Sequence, residues 1–269
     1  MPQNASPQHL PRLQLSGFNN LTKSLSFNLF DVCYAETPDE QQEYIAYIDK
    51  VYDAARLTRI LQETCERIQA TILACTCQDY EPQGASATML ICEEPLTPDA
   101  QGPEIVLGHL DKSHICVHTY PEIHPQAGIC TFRTDIEVST CGELSPLRAL
   151  DHLITSFEAD VIVIDYRVRG FTRDADGIKY WMDHELQSIR DFISPDILAN
   201  YDAYDANMPQ DRFFQSKLMR VDEDLNTYVF GEEDAYERFD HTTARRIRRR
   251  LRAEIEDIFY ARNIIRAKQ

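Results

Sequence analysis

The sequence predicts an α+β fold: a two-layer sandwich in which helices cover one face of a largely antiparallel sheet, followed by a mainly helical C-terminal extension. Segments of strand length and composition follow one another without helices between them. Helical patterns are few and grouped, which is typical of α+β rather than α/β proteins. With 269 residues, 43% of them hydrophobic, the chain is long enough to bury the core of such a sheet.

The first predicted strand includes residues 25–29, where leucine and phenylalanine alternate with polar residues. A helix should begin after Thr37, because Thr37 can act as the N-cap, Pro38 suits the first helical position and Glu40 completes a capping box. Hydrophobic residues then recur at helical spacing, with room for a break between two helices: Ile45, Ile48, Tyr52, Ala55, Leu57, Leu61, Cys65 and Ile68. An amphipathic helical segment of this kind usually covers a sheet.

Four further segments have strand length and strand composition: "TILACTC", "ASATMLIC", "SHICVHTY" and "TDIEVST". Between the second and third, the segment "EEPLTPDAQGPEIVLG" is predicted to be a surface loop because of its prolines and glycines. A helix capped by Ser145 comes next, and "DVIVIDYRV" is another strand. We expect these elements to form one domain of residues 17–182, preceded by a flexible N-terminus of residues 1–16.

Residues 183–269 are predicted to form the helical extension. One helix begins at "SPDILANYDAYD", and another covers "TARRIRRRLRAEIEDIFYARN", whose hydrophobic stripe consists of Ile247, Leu251, Ile255 and Phe259. The six arginines between positions 245 and 252 suggest either an anion site or a solvated or subunit-facing helix surface. We favour the helix surface, because nearby acidic residues partly balance the charge: Glu254, Glu256 and Asp257.

Composition argues against several classes of protein. The formal charge of −17 disfavours a nucleic-acid partner, because an acidic surface repels phosphate. No apolar run approaches the roughly 20 residues that cross a bilayer, and the N-terminus lacks the apolar segment of a signal peptide. We therefore expect a cytoplasmic protein without a membrane partner, whose eight irregularly spaced cysteines are reduced thiols.

The segment "HLDKSHICVHTYPE", residues 109–122, concentrates groups that transfer protons or act as nucleophiles. A metal site is one interpretation, with His124 nearby, but of the segment's own three histidines only His114 and His118 share a strand face, and no C-x2-C pair accompanies them. A cysteine hydrolase that uses Cys116 or Cys141 is another, although no activating helix N-terminus is evident.

A third interpretation starts from Ser113, which follows Lys112 just before an apolar strand. His118 lies five positions further on, and in a regular strand an odd separation places two side chains on opposite faces. A functional pair of these two residues therefore requires a turn at Ser113 or a partner strand.

Several separated motifs, in order, resemble the bacterial S-adenosylmethionine decarboxylases of the long, gamma-proteobacterial type. The motifs are "GFNNLTKSLSF", "YEPQGAS", "DKSHICVHTYPE", "DIEVSTCG" and "DYRVRGFTRD". The resemblance implies a self-cleaving proenzyme in which the Ser113 hydroxyl attacks the carbonyl of Lys112. Cleavage then leaves a β chain of residues 1–112 and an α chain of residues 113–269, with a pyruvoyl group derived from Ser113 at the start of the α chain.

By the same resemblance, the pyruvoyl group forms a Schiff base with S-adenosylmethionine, which is converted to S-adenosylmethioninamine and CO2 for spermidine biosynthesis. His118 is implied as a base in processing, Ser86 as a second processing residue, Cys141 as the proton donor in decarboxylation, and Glu122 as the ligand of the substrate's ribose. Cys116 does not match the position of the donor, and we interpret it as packing within the strand.

The long bacterial forms are associated with Mg2+ dependence and with tetramers of αβ units. The resemblance identifies no residues for the metal. Two alternatives to this function stay open: a pyruvoyl decarboxylase with a different amino-acid substrate, and a non-enzymatic Cys/His metal-binding protein.

Overall fold

The structure, a computed structural model, describes residues 21–93, 113–124, 128–174, 176–221, 224–232 and 234–261. Its strands are β1 (Thr22–Tyr34), β2 (Thr71–Asp79), β3 (Ala85–Cys92), β4 (His114–His124), β5 (Ile129–Cys141), β6 (Val161–Arg169), β7 (Thr172–Arg173), β8 (Lys179–Tyr180), β9 (Tyr201–Asp205) and β10 (Phe213–Arg220). Its α-helices are α1 (Pro38–Val51), α2 (Ala54–Ile68), α3 (Leu150–Phe157), α4 (Pro195–Leu198), α5 (Leu225–Tyr228), α6 (Ala235–Arg238) and α7 (His241–Tyr260). Short 3-10 helices cover Pro146–Ala149, Ile189–Phe192 and Pro209–Asp211.

Eight strands form one sheet in the order β2-β3-β4-β5-β1-β6-β10-β9, and β7 and β8 form a separate pair. All neighbouring strands in the large sheet are antiparallel. The α+β class and the largely antiparallel sheet predicted from the sequence are therefore confirmed. The long strand β1 lies inside the sheet between β5 and β6, so both of its edges are hydrogen bonded.

The predicted capping box at the start of α1 is present. The Glu40 amide donates to the Thr37 hydroxyl at 3.2 Å, and the Thr37 amide donates to the Glu40 carboxylate at 3.0 Å. The hydrophobic stripe is divided between two helices, because α1 ends at Val51 and Asp53 caps α2 by accepting from the Arg56 amide at 2.7 Å.

Side-chain alternation in β1 divides the core between the two faces of the sheet. Leu25, Phe27 and Leu29 pack in the hydrophobic cluster that contains α1, α2 and α3, and we call this side of the sheet the helix face. Val32 and Tyr34 instead pack in a second cluster with α7, on the opposite side, which we call the second face. The prediction that helices cover one face thus holds for α1–α3, whereas α7 covers part of the other face.

The extension after residue 183 also contributes strands, which were not predicted from the sequence. Strand β10 pairs with β6, and β9 pairs with β10, so the sheet continues across the proposed boundary at residues 182 and 183. That boundary stays a prediction, and residues 1–16 lie outside the described part of the chain. Among the described helices, none combines the length and the apolar character that crossing a membrane requires.

Candidate active site

Ser113 and Cys141 are in contact at one end of the sheet. The Ser113 Oγ atom lies 3.0 Å from the Cys141 Sγ atom, and Ser113 is fully buried. Ser113 immediately precedes β4 and Cys141 ends β5, so the antiparallel pairing of these strands brings the two residues together. Because Ser113 precedes the strand, strand alternation does not fix the direction of its side chain.

The backbone around this pair is held by neighbouring strands. The Ile91 amide of β3 donates to the Ser113 carbonyl at 3.3 Å. Cys141 pairs with Thr22 in β1, and the following Gly142 amide donates to the Leu21 carbonyl at 3.3 Å. Lys112, the other predicted partner in cleavage, lies outside the described residues.

The turn after Cys141 requires glycine at position 142. Gly142 has φ = 69°, a left-handed conformation that favours glycine, and a Cβ atom there would collide with the Glu93 carboxylate. The same carboxylate accepts a hydrogen bond from the Glu143 amide at 3.0 Å. Glu93 therefore fixes the turn that ends β5. It was not predicted from the sequence, because its partner lies 50 positions away.

An ion pair links this end of the sheet to the C-terminal extension. Lys23, next to Thr22 in β1, is fully buried and forms a salt bridge with Asp183. Asp183 also lies 2.7 Å from Nδ1 of His184. Burial favours the neutral acid, but the His184 hydrogen bond and the Lys23 charge outweigh it and lower the pKa of Asp183. The extension is thus tied to the strand that pairs with Cys141.

Ser86 and His118 form a second group in the middle of the sheet. They are directly opposite each other in the register of β3 and β4, so their side chains share a face. Asp135 of β5 is opposite His118 on the other side. The Tyr80 hydroxyl lies 3.2 Å from Nδ1 of His118. Tyr80 and Asp135 were missed, although Tyr80 begins the quoted motif "YEPQGAS".

Glu122 continues this second group along β4. Its side chain is exposed, and strand alternation places it on the second face with His118 and Tyr120. The rings of His118 and Tyr120 are nearly parallel, with their centroids 6.5 Å apart. The Arg133 guanidinium lies 5.0 Å from the centre of the Tyr120 ring and donates from Nε to Asp135 at 2.9 Å.

Within one chain, the two groups are far apart. An extended strand advances about 3.3 Å per residue, so Ser113 and His118 are separated by about 16 Å along β4. The same rise places Glu122 about 30 Å from Ser113. The fold therefore brings together Ser113 with Cys141, and Ser86 with His118, but it does not bring the second pair to the first. The roles predicted for these residues stay predictions.

Cys116 lies between the two groups on the second face, opposite Glu137 of β5. Burial, and then the charge of Glu137, raises the pKa of the Cys116 thiol. Among the described residues, no group of three or more His, Cys, Asp or Glu side chains is arranged to hold a metal ion. His109, one histidine of the metal-site interpretation, lies outside the described residues.

Comparison with known proteins identifies the family. Residues 44–170 match the family model described as S-adenosylmethionine decarboxylase. The chain is 52% identical over 263 residues to the S-adenosylmethionine decarboxylase proenzyme of Citrobacter koseri, which covers 95% of this chain and 99% of that protein. The chain belongs to the S-adenosylmethionine decarboxylase family. A relative from Salmonella typhi with the same name has the same identity and coverage.

Two solved structures with names from this family match the chain at low TM-scores. The adenosylmethionine decarboxylase of Aquifex aeolicus matches with a TM-score of 0.30 and 18% identity, over 63% of this chain and 100% of that one. The Trypanosoma brucei AdoMetDC-delta26 monomer matches with a TM-score of 0.38 and 13% identity, over 74% of this chain and 66% of that one. The family resemblance found in the sequence motifs is confirmed by the two relatives at 52% identity.

Proposed function

We propose that the chain is a proenzyme that cleaves itself between Lys112 and Ser113 and then decarboxylates S-adenosylmethionine to S-adenosylmethioninamine and CO2. The observation that carries this proposal is the 3.0 Å contact between the Ser113 hydroxyl and the Cys141 thiol. Relatives at 52% identity are named as proenzymes for the same reaction. The substrate is cationic, and a chain with a formal charge of −17 attracts cations.

Self-cleavage needs a nucleophile, a base and protection from water. In the proposed step, the Ser113 hydroxyl attacks the Lys112 carbonyl and the amide becomes an ester. A base then removes the Ser113 α-proton, elimination releases the Lys112 carboxylate, and hydrolysis of the remaining unsaturated residue yields the pyruvoyl group and ammonia. Complete burial of Ser113 favours elimination from the ester over its hydrolysis, because bulk water would otherwise hydrolyse the ester and restore serine.

The residues around position 113 suit a pyruvoyl group. Such a group is small, uncharged and derived from Ser113 itself, and the buried position leaves it a thiol neighbour in Cys141 and a backbone donor in Ile91. When present, a pyruvoyl ketone condenses with an amine and accepts the electrons released with CO2. The Ile91 amide would fix the main-chain carbonyl beside the ketone.

Cys141 is the proposed proton donor. Thiols are ordinarily protonated at neutral pH, yet they release a proton far more readily than a serine hydroxyl. The Gly142 turn, held by Leu21 and Glu93, keeps the thiol at the Ser113 position. In this position Cys141 would reprotonate the substrate carbon that has lost CO2.

The separation of the two groups supports an oligomeric enzyme with a shared site. His118, Ser86 and Glu122 lie on the second face of the sheet, about 16 Å or more from Ser113 of their own chain. If the second faces of two copies packed together, His118, Ser86 and Glu122 of one copy would lie near Ser113 of the other copy. This arrangement fits the tetramer of αβ units that the family resemblance implies.

Three further parts of the proposal rest on the family resemblance. The product would supply aminopropyl groups for spermidine synthesis, the enzyme would be cytoplasmic, and its activity would depend on Mg2+. The described residues contain no cluster of ligands that fits Mg2+, so we assign neither residues nor a reaction step to this ion.

The decisive experiment is the mass of the purified active protein under denaturing conditions. We expect two chains, residues 1–112 and residues 113–269, with the second blocked at its N-terminus. Borohydride with S-adenosylmethionine should add the mass of the reduced substrate adduct to the second chain. An active preparation that contains only the uncleaved chain would contradict the proposal.

The two alternatives give different results in the same experiment. A pyruvoyl decarboxylase for another amino acid would also be cleaved. Adenosine analogues, however, would not prevent borohydride and that amino acid from trapping its pyruvoyl group. A metal-binding protein would remain a single chain that carries metal. Protection by adenosine analogues together with cleavage therefore separates the proposed function from both.

A further inference from the structure

A cavity of about 320 Å³ lies between α7, α5 and the end of β10, away from the candidate active site. Five arginines line it, and we call it the arginine pocket: Arg220, Arg245, Arg248, Arg249 and Arg252. Pockets of this size commonly hold small molecules. Its positive lining contrasts with the chain's formal charge of −17.

Helical spacing places four of the arginines on one side of α7. Arg248 and Arg249 are each three or four residues from both Arg245 and Arg252, so each lies on the same side of the helix surface as those two residues. Arg246 and Arg250 belong to the same helix but are not among the residues that line the pocket. Like charges at these spacings repel each other, and a bound anion would relieve the repulsion.

Among the described residues, two of the pocket's arginines have no acidic partner within ion-pair distance. In the part of the chain that the structure describes, Arg245 and Arg249 form no hydrogen bond or ion pair. Arg252 donates to Glu256 at 2.7 Å, and Arg248 donates to the neutral hydroxyl of Tyr236. Arg220, which also lines the pocket, lies 3.9 Å from the buried carboxylate of Asp160. The guanidinium groups of Arg245 and Arg249 are thus available to a ligand.

Part of the pocket lining is apolar. Leu225, Leu251 and Ile255 line it, and each is at least nine-tenths buried. The ring of Tyr228 lies beside them. Guanidinium groups bind phosphate oxygens in pairs of hydrogen bonds, whereas aliphatic side chains pack against a flat ring. A ligand that uses both parts of the pocket has a polyphosphate group and an apolar ring.

The pocket is distinct from the candidate active site. Thr22, which pairs with Cys141, and Val32, which packs in the cluster with α7, are ten residues apart in β1, about 33 Å of extended strand. The cationic substrate proposed for Ser113 would also be repelled by the arginines. We propose that the arginine pocket binds an organic polyphosphate of the nucleoside triphosphate class.

Calorimetric titration of the purified full protein with ATP tests this inference. At about 0.15 M salt, where exposed charges are screened beyond about 8 Å, we expect binding of ATP and weaker binding of tripolyphosphate. Adenosine, which the proposed S-adenosylmethionine site would bind separately, should not displace ATP from the arginine pocket. The double variant R245A/R249A should raise the Kd for ATP at least about tenfold, because it removes two guanidinium donors to phosphate.

The matched control is R246A/R250A, which removes the same charge from the same helix outside the pocket. Its Kd for ATP should stay within about twofold of the wild-type value, since screening limits the effect of remote charges. Helix content and melting temperature of both variants show that α7 remains folded. The proposal would be overturned if ATP did not bind, or if tripolyphosphate bound as tightly as ATP. Equal losses of ATP affinity in the two double variants would also overturn it. So would an oligonucleotide that binds α7 and is not displaced by ATP.

Discussion

The Oγ atom of Ser113 lies 3.0 Å from the Sγ atom of Cys141, although 28 positions separate these residues in the chain. The proposed nucleophile of cleavage and the proposed donor of decarboxylation are therefore neighbours. The buried position of Ser113 would serve first in self-cleavage and then in decarboxylation, with different residues assisting each reaction. Substitutions of these residues should therefore affect the two reactions differently.

Substitution of Ser113 should decide whether cleavage occurs at this position. Ser113→Ala removes the hydroxyl, so we expect an uncleaved chain with no decarboxylase activity. Ser113→Cys is the matched control, because a thiol can still attack the Lys112 carbonyl and should allow slower cleavage. Denaturing gels and intact mass measure both. Cleavage of the alanine variant between residues 112 and 113 would contradict the proposal.

Cys141→Ala should separate decarboxylation from processing. The variant should still be cleaved, but its kcat should fall about 10²- to 10⁴-fold, the range typical of a lost general acid. His118→Ala should instead slow cleavage more than it slows decarboxylation by the processed fraction. Cys116→Ala is the control, because this half-buried thiol lies on the second face, about 10 Å of extended strand from Ser113. Equal effects of Cys141→Ala and His118→Ala on both steps would refute these roles.

Mixed oligomers should test whether two chains share a site. Cys141→Ala and His118→Ala remove residues from the two separated groups, so coexpression should give some mixed sites with both native residues. We expect up to about a quarter of the wild-type activity, the statistical share for random pairing of copies. Each variant expressed alone provides the control. No recovery in preparations that demonstrably contain mixed oligomers would show that the site lies within one chain.

Glu122 should affect substrate affinity more than the chemical step. Glu122→Gln keeps the size of the side chain but weakens its hydrogen bonds to ribose hydroxyls. We expect KM to rise about tenfold with little change in kcat, because a hydrogen bond to a charged group contributes about 1.5–3 kcal/mol. Glu137→Gln, on the same face of β5, is the control and should leave KM unchanged. An unchanged KM for Glu122→Gln would exclude the ribose contact.

Two neighbouring acids, Asp31 and Asp160, should make stability fall as pH rises. Burial, and then the charge of Asp160, raises the pKa of Asp31 well above its usual value. Asp160 itself accepts hydrogen bonds from the Val32 amide at 2.8 Å and the Tyr228 hydroxyl at 3.0 Å. The native state therefore holds a proton on Asp31 that the unfolded chain releases above about pH 4.

The corresponding variant is Asp31→Asn, which should resemble the protonated acid. Its Tm should match that of wild type near pH 4 and exceed it increasingly as pH rises towards the raised pKa of Asp31. The reason is that ionisation of Asp31 stabilises the unfolded state of the wild-type chain, and asparagine cannot ionise. In a protein of about this size, 1 kcal/mol corresponds to roughly 2–4 °C. Asp202→Asn, at an exposed position in β9, is the control and should show no such trend. A constant difference between Asp31→Asn and wild type at all pH values would contradict the prediction.

Local patterns predicted much of the fold. The capping box of Thr37 and Glu40 depends on residues three positions apart, and the alternation of Leu25, Phe27 and Leu29 follows directly from strand geometry. The strand β10 was not predicted, because its alternation is visible only once β6 is known to be its partner. Its companion β9 is short and largely polar, so its pairing depends on the neighbouring strand rather than on its own sequence.

The sequence by itself determined which residues are candidates for chemistry. The motifs around Ser113, His118 and Cys141 carry the family resemblance, and the relatives at 52% identity bear out that family. Only the tertiary structure decided which of these residues meet. Register between β4 and β5 brings Cys141 to Ser113, while five residues of extended strand keep His118 about 16 Å away. Strand pairing joins residues distant in sequence, and neither composition nor local spacing specifies which strands become neighbours.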